Sequence, residues 1–160
     1  MRIESPAFRD GERIPERYTC EGADVSPPLA FSVDLPAARS LALVVDDPDA
    51  PGGTWVHWLV YTLPATTVAL PEAVAAAALP GKARFGKNSW GRVGWGGPCP
   101  PSGTHRYLFT LHALDAELPE LREAAHDELA RAMAGHVLGQ TSLLATYSLR
   151  RPGRHAASRA

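Results

Sequence analysis

The sequence predicts an antiparallel β-sandwich, mostly β, with one helix in its C-terminal region. Three observations predict it. Apolar runs rich in β-branched and aromatic residues recur at short spacing and end at Pro, Gly or Asp. The 14 glycines and 15 prolines cluster at 47–53, 80–86 and 91–103, which is loop punctuation between strands and not a low-complexity tract. Helical periodicity is convincing in a single place.

Taken in order, residues 41–45 form a first apolar run that ends at DDPDAPGG, residues 56–63 a second that ends at Pro64, and residues 107–114 a third that ends at Asp115. Each reads as a strand. Between the second and third, residues 73–94 begin with an alanine run but are soon broken by Pro80 and several glycines, so they read as a long loop with at most a helical turn. A loop of that length in a compact domain is usually functional. A helix is expected over 119–135, where Leu121, Ala125, Leu129 and Met133 recur every four residues, Pro119 suits a first turn and Gly135 a stop. Residues 142–149 read as a last strand. One domain is expected over 1–150, followed by a disordered basic tail over 151–160.

At 160 residues and a formal net charge of −1, with no basic stripe interleaved with aromatics, the chain offers no electrostatic drive toward nucleic acid. No stretch approaches the roughly 18 apolar residues of a membrane span, and the N-terminus lacks an apolar run of signal-peptide length. The expectation is a soluble cytoplasmic protein. Cys20 and Cys99 each sit beside a proline-rich turn; two cysteines imply no disulfide framework, and a bridge between them and a pair of small buried side chains are both open readings.

The chemistry concentrates in two stretches built alike, residues 47–64 and 94–115, each a rigid Pro/Gly loop followed by a strand bearing a histidine. Strand alternation puts Trp55, His57, Leu59 and Tyr61 on one side, and His105, Tyr107, Phe109 and Leu111 on one side of the other. Each histidine thus stands where an apolar row meets solvent. A structural histidine is the bland alternative for either alone and a weaker one for the pair.

Asp47 continues the row Leu41, Leu43, Val45 and is the better candidate to orient an imidazole, while Asp49 is expected to cap the turn through backbone N–H groups near Gly52 and Gly53. Donor imidazoles, the N–H groups of Gly96 and Gly97 and a rigid GPCPP wall describe an anion site, with Trp55, Trp95 and Tyr107 against an apolar part of the ligand. A metal site of two histidines and an aspartate lacks any local ligand spacing, and no G-x-S-x-G nucleophile elbow occurs. Cys99, between two prolines, is a poor nucleophile. His112, His126, His136 and His155 read as structural or surface residues.

With both stretches in view, the chain resembles the phosphatidylethanolamine-binding protein family, in its bacterial and archaeal Raf kinase inhibitor-like branch. The resemblance runs from Phe8 to Arg150 through DGERIPERYTCEGADVSPPL, DPDAP with the His57–Trp58 pair, GGPCPPSGTHRY and GHVLGQTSLLATYSL. It implies a β-sandwich with a small anion pocket near one end, lined by Asp47, His57, His105 and Tyr107, with Trp55 and the loop of Gly97, Pro98 and Pro100 beside them. It also implies a cis Asp47–Pro48 peptide. Departures stand at Phe31, Trp90, Trp95 and Ala145, and the C-terminal helix that borders the pocket in eukaryotic members has no counterpart.

The function expected on these grounds is non-enzymatic binding of a phosphate, sulfate, carboxylate or phospholipid headgroup, with no cofactor and no metal. The alternative is an inhibitor of a protease or kinase acting through the pocket face, which an exposed proline-rich wedge would favour. An unrecognised hydrolase is the third reading.

Overall fold

A computed structural model describes residues 1–150; the expected tail over 151–160 lies outside the described residues. Eight strands occur in chain order: β1 (Arg2–Glu4), β2 (Leu29–Ser32), β3 (Ser40–Asp47), β4 (Trp55–Pro64), β5 (Ala69–Leu70), β6 (Arg84–Phe85), β7 (His105–Leu114) and β8 (Val137–Tyr147). They form two antiparallel sheets, a small one ordered β1-β2-β5 and a large one ordered β6-β4-β3-β7-β8. The mostly β, sandwich-type class expected from the sequence is the class observed.

One core lies between the sheets, where Ile3, Leu29, Phe31 and Leu70 of the small sheet meet Leu43, Val45, Trp58, Phe109 and Leu111 of the large one. A second core covers the other face of the large sheet, where Ala42, Val44, Leu59 and Tyr61 pack under Leu129 and Met133. β3 is therefore apolar at consecutive positions because both its faces are covered. Truncating one of its leucines to alanine would cost about 2–5 kcal/mol.

The helix departs from the expectation over 119–135. Only His126–Met133 is α-helical (α1), closed by Gly135 at φ 82°. The expected first half fails because its backbone is used elsewhere: the Leu121 carbonyl accepts the Tyr61 hydroxyl at 2.7 Å, the Ala124 carbonyl accepts the Lys87 amide at 2.8 Å, and Glu123 sits at φ 46°. Tertiary bonds to the sheet outcompete local periodicity. The last strand also starts earlier than expected, at Val137, and pairs with the whole of β7. Residues 73–94 hold a 3-10 turn at Ala76–Ala78 and the short β6.

Candidate functional site

The site lies at one end of the large sheet on its inter-sheet face. Asp47 ends β3 with Trp55 of β4 as its register partner, and the facing β7 carries His105 and Tyr107. Asp47 and His57 are 0% exposed, Tyr107 1% and His105 6%, so the cluster is built into the core and does not stand at an open rim.

His57 reaches this face through an irregularity that strand alternation does not foresee. Val45 pairs with Trp58 but Asp46 pairs with Val56, so His57 is the extra residue of a β-bulge. The bulge separates the expected row: His57 stacks edge-on against Tyr107 at 5.2 Å on the inter-sheet side, whereas Leu59 and Tyr61 belong to the core under the helix.

Asp47 faces His105, not His57. Its Oδ2 accepts a hydrogen bond from His105 Nδ1 at 2.6 Å, and its Oδ1 accepts the Asp49 amide at 2.7 Å. A carboxylate partner fixes the His105 tautomer, with the proton on Nδ1. Burial pushes the Asp47 carboxyl above its ordinary range, although the bonds from His105 and Asp49 pull it down.

The Asp47–Pro48 peptide is trans, contrary to the expectation of a cis bond. The chain is turned instead by the Asp49 amide bonding back to Asp47 and by the Gly53 amide bonding to the Ala50 carbonyl at 3.1 Å, with Gly53 at φ 108°. Asp49 does not cap Gly52 and Gly53. It takes Arg106 in a two-pronged pair at 2.8 and 3.0 Å and accepts the Arg106 amide at 2.9 Å, which holds its carboxyl down at about 2. Asp49 thereby pins the 48–54 loop to the start of β7.

His57 is held by backbone. Its Nδ1 donates to the Gly96 carbonyl at 2.5 Å, and the Gly96 amide returns a bond to the His57 carbonyl at 3.0 Å. The Gly97 amide bonds Asp24 Oδ1 at 2.8 Å. Both amides expected to donate to an anion are thus spent within the protein. These glycines serve close packing: a Cβ at 96 would lie 2.4 Å from the Trp90 ring, and one at 97 would lie 2.2 Å from the Tyr18 carbonyl.

Cys20 and Cys99 form a disulfide, which resolves the two open readings in favour of the bridge. Pro98 and Pro100 are buried with Cys99, and Pro98 accepts the Cys20 amide at 3.2 Å. Trp95 belongs to the core and not to a ligand wall: it packs on Trp58 and Phe109 and its indole N–H bonds the Tyr18 carbonyl at 3.3 Å. Trp55 does stand at the site, edge-on to Trp90 at 5.5 Å, and Trp90 in turn lies 5.0 Å from His57. Burial also pushes the Tyr107 hydroxyl up, with the Asp47 charge adding to it.

Sequence reasoning missed Trp90, Asp24 and Arg106 as members of this region. Arg106 had a signal, a cation one residue beyond the histidine of a loop that faces two aspartates. Asp24 and Trp90 had none, because their positions follow from how distant loops meet. Among the described residues no group of three or more His, Cys, Asp or Glu side chains is disposed to hold a metal ion. No helix among them is long and apolar enough to cross a membrane.

Two antiparallel sheets with a buried histidine–carboxylate pair and a second, loop-held histidine at one end define a β-sandwich class of protein. The particular family follows from comparison: the phosphatidylethanolamine-binding protein family model matches residues 4–148, and the chain belongs to that family. It is 45% identical over 148 residues to a UPF0098 protein of Methanothermobacter thermautotrophicus, covering 92% of this chain and 98% of that one. It is 47% identical over 153 residues to a UPF0098 protein of Chlamydia pneumoniae, with the same coverage. Among solved structures, a candidate phosphatidylethanolamine-binding protein homologue from Chlamydia trachomatis superimposes with a TM-score of 0.86 at 38% identity, over 92% of this chain and 96% of that one. Escherichia coli YbcL, described as a member of the mammalian PEBP family, gives 0.86 at 30% identity over 93% and 98%.

Proposed function

We propose that this protein is a non-enzymatic binding protein whose site takes small oxyanions of the phosphate type, free or as a phospholipid headgroup. The observation that carries the reading is the His105–Asp47 pair: Nδ1 is committed to a buried carboxylate, which fixes the orientation of the ring and leaves Nε2 as the atom through which it would meet a ligand. Family membership supports the same ligand class. Trp55 and Trp90 supply an apolar border suited to the organic part of a phosphate ester. The inhibitor reading gains nothing from the proline-rich loop, since Pro98 and Pro100 are buried and offer no wedge.

Calorimetry with sulfate and with phosphoethanolamine tests the proposal. Because both rings are buried, glutamine variants are preferable to alanine. His105→Gln and His57→Gln should each weaken binding by about tenfold or more. Unchanged affinity for both anions in both variants overturns the site assignment. Phosphoethanolamine should be recovered intact after long incubation; release of inorganic phosphate that disappears in either variant would make the protein an enzyme.

A further inference from the structure

The Cys20–Cys99 bond closes a clasp that holds His57 and borders the strand next to His105. On one side, Cys99 lies in the loop whose Gly96 carbonyl holds His57 Nδ1, and that loop is bound to residues 18–24 by three further hydrogen bonds, Cys20 amide to Pro98, Gly97 amide to Asp24 and Trp95 indole to Tyr18. On the other side, Glu21, next to Cys20, accepts the Tyr147 hydroxyl at 2.6 Å, and Tyr147 is the register partner of His105. Gly97 has no spare space on the 18–24 segment, so the two segments pack in direct backbone contact there.

We propose that the disulfide is a redox-controlled positioning element for the anion site: reduction by a cellular dithiol frees the 96–100 loop from residues 18–24 and loosens the hold on His57, lowering oxyanion affinity while the sandwich stays folded. The reaction is ordinary thiol–disulfide exchange. A thiolate of the dithiol attacks the Sγ of Cys20, the less buried of the two residues, and Cys99 leaves as a thiolate and takes a proton. The second thiol of the reagent then attacks the mixed disulfide, leaving Cys20 as a thiol and the reagent as its disulfide. Two electrons and two protons pass to the protein.

The affinity arm rests on the anion-site reading, so the test carries a readout that does not. The full chain is studied oxidised and after treatment with dithiothreitol, with free thiols titrated in each state. Imidazole ¹⁵N–¹H spectra follow His57 and His105, circular dichroism follows the fold, and calorimetry with sulfate follows the site. The expected result is an unchanged circular dichroism spectrum, a His57 Nδ1–H signal that exchanges faster with water after reduction, a smaller change at His105, and an affinity about tenfold lower. Cys20→Ser/Cys99→Ser should reproduce the reduced state without reductant. An identical His57 signal in the two states overturns the proposal, as does equal sulfate affinity in the two states. If reduction unfolds the chain, the bridge is a global staple and the proposal also fails. Should the oxidised protein bind neither sulfate nor phosphoethanolamine, the functional reading falls, and the His57 signal alone decides the clasp.

Discussion

His105 and His57 are held by the same ring nitrogen but by opposite kinds of partner. His105 gives its Nδ1 proton to a buried carboxylate at 2.6 Å, His57 to a neutral carbonyl at 2.5 Å. A carboxylate brings a negative charge to the edge of the ring, whereas a carbonyl fixes a tautomer without one. The two histidines that look equivalent along the sequence are thus a carboxylate-held arm and a carbonyl-held arm. The difference also separates their support: His105 depends on strands packed in the sheet, His57 on a loop drawn in by Gly96, Asp24 and the disulfide.

The largest expected effect breaks the carboxylate-held arm. His105→Ala leaves the buried Asp47 carboxylate with only the Asp49 amide as donor, which should cost about 3–5 kcal/mol at neutral pH. His57→Ala leaves only the Gly96 carbonyl without its donor, a cost of about 1–3 kcal/mol, and both variants share the loss of a buried ring. Asp47→Asn should recover stability in the His105→Ala background and none in the His57→Ala background. Urea unfolding of the four variants measures this, and an equal response in both backgrounds would erase the asymmetry.

The carbonyl-held arm is tested through its loop. Gly97→Ala drives a methyl into the Tyr18 backbone and should destabilise by about 1–3 kcal/mol. Gly96→Ala meets the half-buried Trp90 ring and not backbone, so a smaller loss of stability should come with altered tryptophan fluorescence. The reverse order of stabilities would mean that the loop is not anchored at residues 18–24.

The class of fold and the long strands were legible because apolar runs bounded by Pro, Gly and Asp depend on local sequence. β1, β2, β5 and β6 were not, since strands of two to four residues carry no period. Within the site, Asp47, His57, His105, Tyr107 and Trp55 do converge, and the phase of β7 was read correctly. The face of His57 came out right for an incomplete reason: alternation grouped it with Leu59 and Tyr61, from which the bulge separates it. Partnerships were the least legible layer. That Asp47 serves His105, that Asp49 serves Arg106, and that the Gly96 and Gly97 amides are consumed internally all follow from loop-to-loop packing, which no spacing encodes.

The smallest expected effect sharpens the contrast between the two aspartates. Asp49 holds Arg106 at the surface, with its carboxyl drawn down to about 2 by that pair. A carboxyl whose folded value lies below its ordinary one stabilises the fold above the ordinary range and loses that contribution as pH falls through about 2. Water screens the pair, so its worth at neutral pH should be within about 0–1 kcal/mol. Asp49→Asn should therefore leave stability near neutral pH almost unchanged, weaken the attachment of the 48–54 loop to β7, and preserve sulfate affinity. Asp47→Asn should do the opposite: its buried carboxylate uses both oxygens as acceptors, and an amide offers only one, so one of the His105 and Asp49 bonds must be lost at about 1–3 kcal/mol. Titration of the two carboxyls by NMR, together with unfolding of the two variants, makes the comparison. If Asp49→Asn cost as much as Asp47→Asn and also weakened sulfate binding as much, Asp49 and not Asp47 would be the carboxylate of the site.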